Sequence, residues 1–221
     1  MSTWETDLVP TKVTRDSYHH GDLANALTQA AINLASSGGP EAVVLREAAR
    51  QVGVSATAAY RYFESRAELI HAVKERALAE LAARMNAELD RGKTLPDPVA
   101  EALRRLRALG RGYVNFALEE PGLFRTAFYH ADMGELVDEK EAAVDPLSTE
   151  PFQMLVKTLD SLVGYGVIGP DRRPLLEVAA WAIVHGVADL ILNGPLRRQP
   201  PELQQAAIER ALNLVVEAIG G

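Results

Sequence analysis

The densest group of side chains able to grip another molecule lies between Arg46 and Arg66. Arg46, Arg61 and Arg66 carry fixed positive charge, and Ser55, Thr57, Tyr60 and Tyr62 carry hydroxyls, with Ala56 among them. Guanidinium groups donate in a planar fork that matches phosphate oxygens and the guanine edge. Hydroxyls reach phosphates or the chain's own backbone, and methyls of alanine and threonine pack against the thymine methyl. No G-x-S-x-G, H-E-x-x-H or phosphate-loop motif occurs in the chain. The chemistry on offer is adhesion, with duplex DNA as the matching partner.

The elements that must position these residues are legible. Leu45, Ala48, Ala49 and Val52 share one helix face. Gly53 stops that helix, because a tight turn needs a residue that tolerates positive φ. Val54 plugs the turn, and Ser55 is a good N-cap for a short second helix over 56–63. Ser65 and Glu68 make an S-x-x-E capping box that starts a third, long helix at Arg66.

This stretch resembles the helix-turn-helix of the tetracycline-repressor (TetR) family of transcriptional regulators. Gly53-Val54-Ser55, Tyr60-x-Tyr62-Phe63 and the Arg66-Ala-Glu68-Leu69 start carry the resemblance. Ala59 departs from it, the family often having a larger aliphatic residue there. Further likenesses are Tyr18-His19-His20-Gly21-Asp22, Gly112-Tyr113 through Phe116-Ala117, Pro121-Gly122-Leu123-Phe124, and Trp181-x-x-x-His185-Gly186. The last resembles the Trp-His-Gly C-terminal domain of one TetR subfamily. The resemblance implies an all-α fold: a three-helix DNA-binding domain followed by a helical domain for ligand binding and dimerisation. It implies Arg46 on a guanine edge, Tyr60, Tyr62 and Arg66 on phosphates, and Ser55, Ala56, Thr57 and Arg61 at the DNA surface. It also implies a small-molecule effector, with no other cofactor and no metal. Tyr113, Phe116, Phe124, Phe128, Phe152, Met154, Trp181 and His185 are the candidate lining residues, each also readable as plain core. His185 and Asp189, four apart on one helix, are placed to hydrogen-bond.

The rest of the chain divides into a free arm over 1–17, a DNA-binding segment with its linking helix over 18–90, and a helical segment over 91–221. Lys12 and Arg15 on the arm are placed to reach a minor groove, the alternative to a plain tail. The break at Arg91-Gly92-Lys93-Thr94-Leu95-Pro96-Asp97-Pro98 sets the boundary. Residues 131–150 read as an acidic loop, or a lid over a pocket. Gly164-x-Gly166-x-x-Gly169 matches a dinucleotide fingerprint, but a helical pattern precedes it and Pro170 follows, so it reads as a helix end and loop. Asp171 reads as the cap of a helix reaching Leu192, apolar on nearly every side and therefore buried on both faces, in its own core and in a partner. With the last helix, over 200–219, it suggests a homodimer through a four-helix bundle.

The bulk numbers bound the partners. With no cysteine, disulfide scaffolds, thiolate zinc sites and thiol nucleophiles are excluded. Adjacent His19 and His20 lack a third ligand at metal spacing. No signal-peptide core precedes Tyr18 and no run spans a bilayer, so a cytoplasmic protein is expected. Residues 1–80 carry eight Lys and Arg against ten Asp and Glu. A reading head with this balance should show a modest salt slope. The same balance leaves open a dimeric small-molecule-binding adaptor that has lost specific DNA binding.

Overall fold

A computed structural model describes residues 18–129 and 145–220. The architecture is all-α, with no strand among the described residues. Nine α-helices follow in order among those residues: α1 Tyr18–Gly38, α2 Leu45–Val52, α3 Ala56–Ala59, α4 Arg66–Arg91, α5 Pro98–Glu119, α6 Pro121–Ala127, α7 Glu150–Gly164, α8 Leu176–Leu192 and α9 Pro201–Gly220. Helices α1 to α3 form the head, and α5 to α9 form the larger helical body. The expected arm over 1–17 and most of the acidic loop lie outside the described residues.

Helix α4 joins the two parts. Ser65 starts it by accepting the Glu68 N–H at 3.0 Å. Glu68 reaches back to the N–H of Glu64, at 2.6 Å, one residue earlier than the usual box. Leu69, Ile70, Val73, Ala77, Leu78, Leu81 and Met85 then bury one face. The helix packs on α1 in the head and on α5, α6 and α7 in the body. One apolar cluster therefore runs from Leu27 in the head to Leu212 in the body. The break at 91–98 separates helices within a shared core. Asp97 restarts the chain by capping α5, accepting the Ala100 N–H, with Pro98 at the first helical position.

A tight contact pins the head to the body. A Cβ on Gly122, at the start of α6, would sit 2.1 Å from the Ala35 carbonyl oxygen and 2.4 Å from that of Ser36. Only glycine allows the start of α6 to meet the end of α1 so closely.

The sequence expectation for the second half of the chain needs one correction. Asp171 does not cap α8, which starts at Leu176. Pro174 disfavours a helical conformation at Arg173, and Leu175 then takes a left-handed conformation with φ 61°. Within one chain α8 buries one face and leaves the other open. Ala180, Val184, Val187, Ala188 and Ile191 face inward, whereas Val178 and Leu190 are exposed. On α9, Ile208, Leu212, Val215 and Ile219 are buried, and Leu203 and Leu214 are exposed. The glycine run at 164–169 is a helix end: Gly166, at φ 74°, donates to the Val163 carbonyl.

Candidate nucleic-acid interface and regulatory cavity

Helix α2 ends in a Schellman turn. Gly53 has φ 80° and donates to Arg50 O, while Val54 N–H reaches Ala49 O at 3.0 Å. These bonds satisfy the last carbonyls of α2 and reverse the chain within a tight turn. Ser55 then caps α3, its hydroxyl oxygen accepting the Ala58 N–H at 3.1 Å. Ala59 is fully buried, which lets α3 lie close under α2.

The expected second helix over 56–63 is shorter. Helix α3 ends at Ala59, and residues 60–62 continue as tighter turns. Arg61 N–H bonds Ala58 O and Tyr62 N–H bonds Ala59 O, the i→i−3 pattern. The tightening brings Phe63 into the core and returns the chain to the Ser65 cap.

The side chains singled out above fall into two groups. Arg46, Thr57, Tyr60 and Arg61 are exposed, with Tyr60 at 46% of its full area. Ser55, Ala56, Tyr62 and Arg66 have other duties or less exposure. The Ser55 hydroxyl caps α3, and Ala56 and Tyr62 are half-buried. Arg66 donates through Nε to Val43 O at 2.9 Å and through Nη2 to Pro40 O at 2.7 Å. It clamps the loop before α2. Neighbouring Arg50 is paired with Glu47 at 2.6 Å, which raises the guanidinium and lowers the carboxyl. Arg46 and Arg61 have no ion pair among the described residues.

In the body, Tyr113, Phe124, Phe128, Phe152, Trp181 and His185 converge. Phe124 meets Tyr113 edge-on at 5.7 Å, Phe128 meets His185 edge-on at 5.1 Å, and Phe152 meets Trp181 edge-on at 6.0 Å. The Tyr113 hydroxyl is the centre of the polar contacts. It accepts from Trp181 Nε1 at 3.0 Å and lies 2.7 Å from His185 Nδ1. Burial raises the Tyr113 hydroxyl well above the ordinary phenol, with the Trp181 bond opposing. Burial also lowers His185, with Asp189 opposing. The Tyr113 hydroxyl takes the Trp181 N–H, and the imidazole tautomer sets which of Tyr113 Oη and His185 Nδ1 donates to the other. The expected His185–Asp189 bond is not made: Asp189 Oδ1 takes Asn193 Nδ2 at 2.7 Å, because Tyr113 holds the imidazole on the other side.

Tyr113, Phe128, Phe152 and Trp181 line an apolar cavity of about 50 Å³ between α4, α5, α7, α8 and α9. Phe116 is fully buried elsewhere in the core, and Phe124 and His185 stand behind the wall. Met154 lies on a separate cleft of about 470 Å³ with Asn86, Arg105 and Lys157.

Sequence reasoning missed two features. Lys74 is buried on α4 and donates through Nζ to the Tyr129 carbonyl just beyond α6; burial lowers its ammonium. Its position four residues after Ile70, on the apolar face, was the available signal. The second is a cluster on α5 and α9, where Arg107 and Arg111 both bond Glu209. No spacing rule links residues about a hundred positions apart.

No helix among the described residues is long and apolar enough to cross a membrane. Residues 27–73 match the family profile described as bacterial regulatory proteins, tetR family, and residues 106–215 match the Tetracyclin repressor-like C-terminal domain. Nucleoid occlusion factor SlmA of Vibrio atlanticus (strain LGP32) is 33% identical over 192 residues, which is 86% of this chain and 91% of that protein. SlmA of Vibrio campbellii is 32% identical over 170 residues, covering 76% and 82%. Among solved structures, a Rhodococcus sp. RHA1 protein of unknown function superposes with a TM-score of 0.68 at 24% identity, over 94% of this chain and all of its own. PfmR of Thermus thermophilus, a TetR family transcriptional regulator, gives 0.55 at 21%, over 86% and 97%. The two structural likenesses carry the fold, while the profiles and the SlmA identity carry the kinship. The glycine-turned helix pair lies within the first of these matches and the helical body within the second, and the chain belongs to the TetR family of DNA-binding transcriptional regulators.

Proposed function

We propose that the chain works as a homodimeric, effector-responsive repressor that reads DNA through the face bearing Arg46, Thr57, Tyr60 and Arg61. The observation that carries this reading is the contrast within the head. Arg46 and Arg61 are exposed and make no ion pair among the described residues, while Arg50 and Arg66 are occupied. Unpaired guanidiniums beside an exposed Thr57 methyl offer both base-edge and backbone contacts.

A second copy of the chain is the occupant that fits the outer stripe of α8 and α9. Val178, Leu190, Leu203 and Leu214 are exposed there. A Cβ on Gly186 would meet nothing within 4 Å, so α8 presents bare backbone on its outer side. Such apolar and small surface is costly in water and suits close helix packing across a twofold axis. Two heads then address two half-sites one helical turn or a multiple apart.

Regulation runs through the cavity walls. Phe128 lines the cavity and ends α6, whose Gly122 abuts α1. A ligand that moves Phe128 therefore biases the head, a coupling free energy between two sites.

The test is enrichment of bound duplexes from random oligonucleotides. The expected product is a palindrome with half-sites spaced by whole turns. Absence of any selected sequence would favour the adaptor reading. The kinship with proteins called nucleoid occlusion factors adds a second reading, in which the chain serves nucleoid occlusion and not the control of single promoters. Genome-wide footprints separate the two: a few promoters for a repressor, sites apart from promoters for the second reading.

A further inference from the structure

The cavity beside Trp181 is apolar on all sides but one. Its walls are Leu78, Leu81, Leu109, Val184 and similar residues, and Arg107 is its one charged lining residue among those described. Arg107 reaches from α5 across to α9, where Nη2 donates to Glu209 Oε2 and Nη1 to Asn213 Oδ1. Glu209 is already committed. Arg111 donates to both its oxygens, at 2.7 and 3.0 Å, and Gln205 donates to Oε1 at 2.8 Å. Two part-buried guanidiniums thus share one carboxylate, so the trio keeps one positive charge in surplus. Arg111 also feels Glu88. The surplus charge is shared by Arg107 and Arg111, and of the two only Arg107 lines the cavity.

We propose that the effector is a slender apolar acid whose carboxylate is received by Arg107 and whose tail fills the cavity toward Tyr113. This rests on the effector reading above and names the chemical class that the site takes. Charge selects the head group. A carboxylate offsets the surplus charge of the arginine pair, a neutral group leaves it in place, and an ammonium is repelled.

Shape selects the tail. Arg107 and Tyr113 both line the cavity, six positions apart on α5, which is about 9 Å along a helix. The free volume that these residues bound is about 50 Å³, which is small. An apolar cavity that accepts benzene is nearer ~150 Å³. A single alkyl chain fits so small a space with less repacking than a ring system. The far end asks for no second polar group. The Tyr113 hydroxyl is engaged by Trp181 and His185, and no buried side-chain nitrogen or oxygen among the described residues lacks a partner.

The experiment uses the full chain carrying Trp4→Phe, which leaves Trp181 as the one tryptophan. Binding of octanoate, 1-octanol and octylamine is followed by Trp181 emission and calorimetry. Octanoate should bind at least tenfold tighter than octanol, and octylamine weakest. Arg107→Met should lower octanoate affinity at least tenfold and leave octanol unchanged. Glu209→Gln, which frees both arginines, should raise octanoate affinity several-fold and leave octanol unchanged; this arm decides the matter should Arg107→Met not fold. Octanol binding as tightly as octanoate, or a Glu209→Gln protein with unaltered octanoate affinity, would overturn the assignment of the acid. Failure of all three probes to bind would instead remove the cavity as the effector site, and the proposal with it.

Discussion

The head and the body are held by different kinds of interaction. In the head, the turns and caps are made within a few residues, and Arg66 adds a longer reach to Pro40 and Val43. Gly53 closes α2 onto Ala49 and Arg50, Ser55 caps α3, and Ser65 caps α4. In the body, the decisive polar contacts join residues far apart in sequence. Tyr113 meets Trp181 and His185, and Arg107 and Arg111 meet Glu209. The difference suits the two tasks. A head made of local turns keeps its geometry whatever the body does, so its exposed arginines stay poised. A body tied by long-range side-chain contacts changes its helix spacing when one partner is drawn away, which is what an effector must achieve.

The contact between the two regions is the place to break this comparison hardest. Gly122→Ala drives a methyl into the Ala35 and Ser36 carbonyls, so the loss of stability should be on the order of 3 kcal/mol. Urea unfolding measures it, and a value near zero would mean that α6 does not press on α1. Within the body, Tyr113→Phe leaves Trp181 Nε1 and His185 Nδ1 without their shared partner. The expected cost is about 2 kcal/mol. If the long-range network belongs to the body alone, DNA affinity of the folded variant is unchanged. Ser55→Ala tests the local side of the contrast. Loss of the cap should cost about 1 kcal/mol and loosen α3, weakening DNA binding out of proportion to the small stability change.

The smallest effect concerns pH. Burial lowers the folded-state affinity of His185 for a proton relative to the unfolded chain. The unfolded state then binds the proton first on acidification. Stability is full above the ordinary histidine value near 6.5 and declines as pH falls through it toward the lowered folded value. His185→Gln, which has no titrating group, should flatten that decline in thermal unfolding between about pH 7.5 and 5.5.

The same contrast explains what is legible in the sequence. The sequence reading of α2 matches the structure to the residue, since an apolar face and a glycine stop are local facts. The two caps follow from residue type alone. Helix α3 is shorter than its pattern implies, because the aromatic tail Tyr60-x-Tyr62-Phe63 has helical spacing but must wind tighter to bury Phe63. Asp171 is a reasonable cap by residue type, and Pro174 overrides it. In the body, residue type and resemblance flag Tyr113, Phe128, Phe152 and Trp181, all of which line one cavity. They do not disclose that Tyr113 and not Asp189 holds His185, nor that Arg107 is the charged member of the wall. Both depend on the relative placement of α5, α8 and α9, which no local pattern encodes.

On the proposed reading, the exposed side chains of the head that have no ion pair among the described residues, and not the occupied Arg50 and Arg66, contact DNA. The most direct measurement is the affinity of Arg46→Ala and Tyr60→Ala for the enriched duplex, with Arg50→Ala as the paired control. Arg46→Ala should lose roughly five- to 150-fold, on the order of 1–3 kcal/mol for a lost base contact, and relax selection at one base pair. Tyr60→Ala should weaken all sequences alike, and Arg50→Ala should change little. Unaltered affinity in both Arg46→Ala and Tyr60→Ala, with Arg50→Ala as the damaging change, would contradict the account.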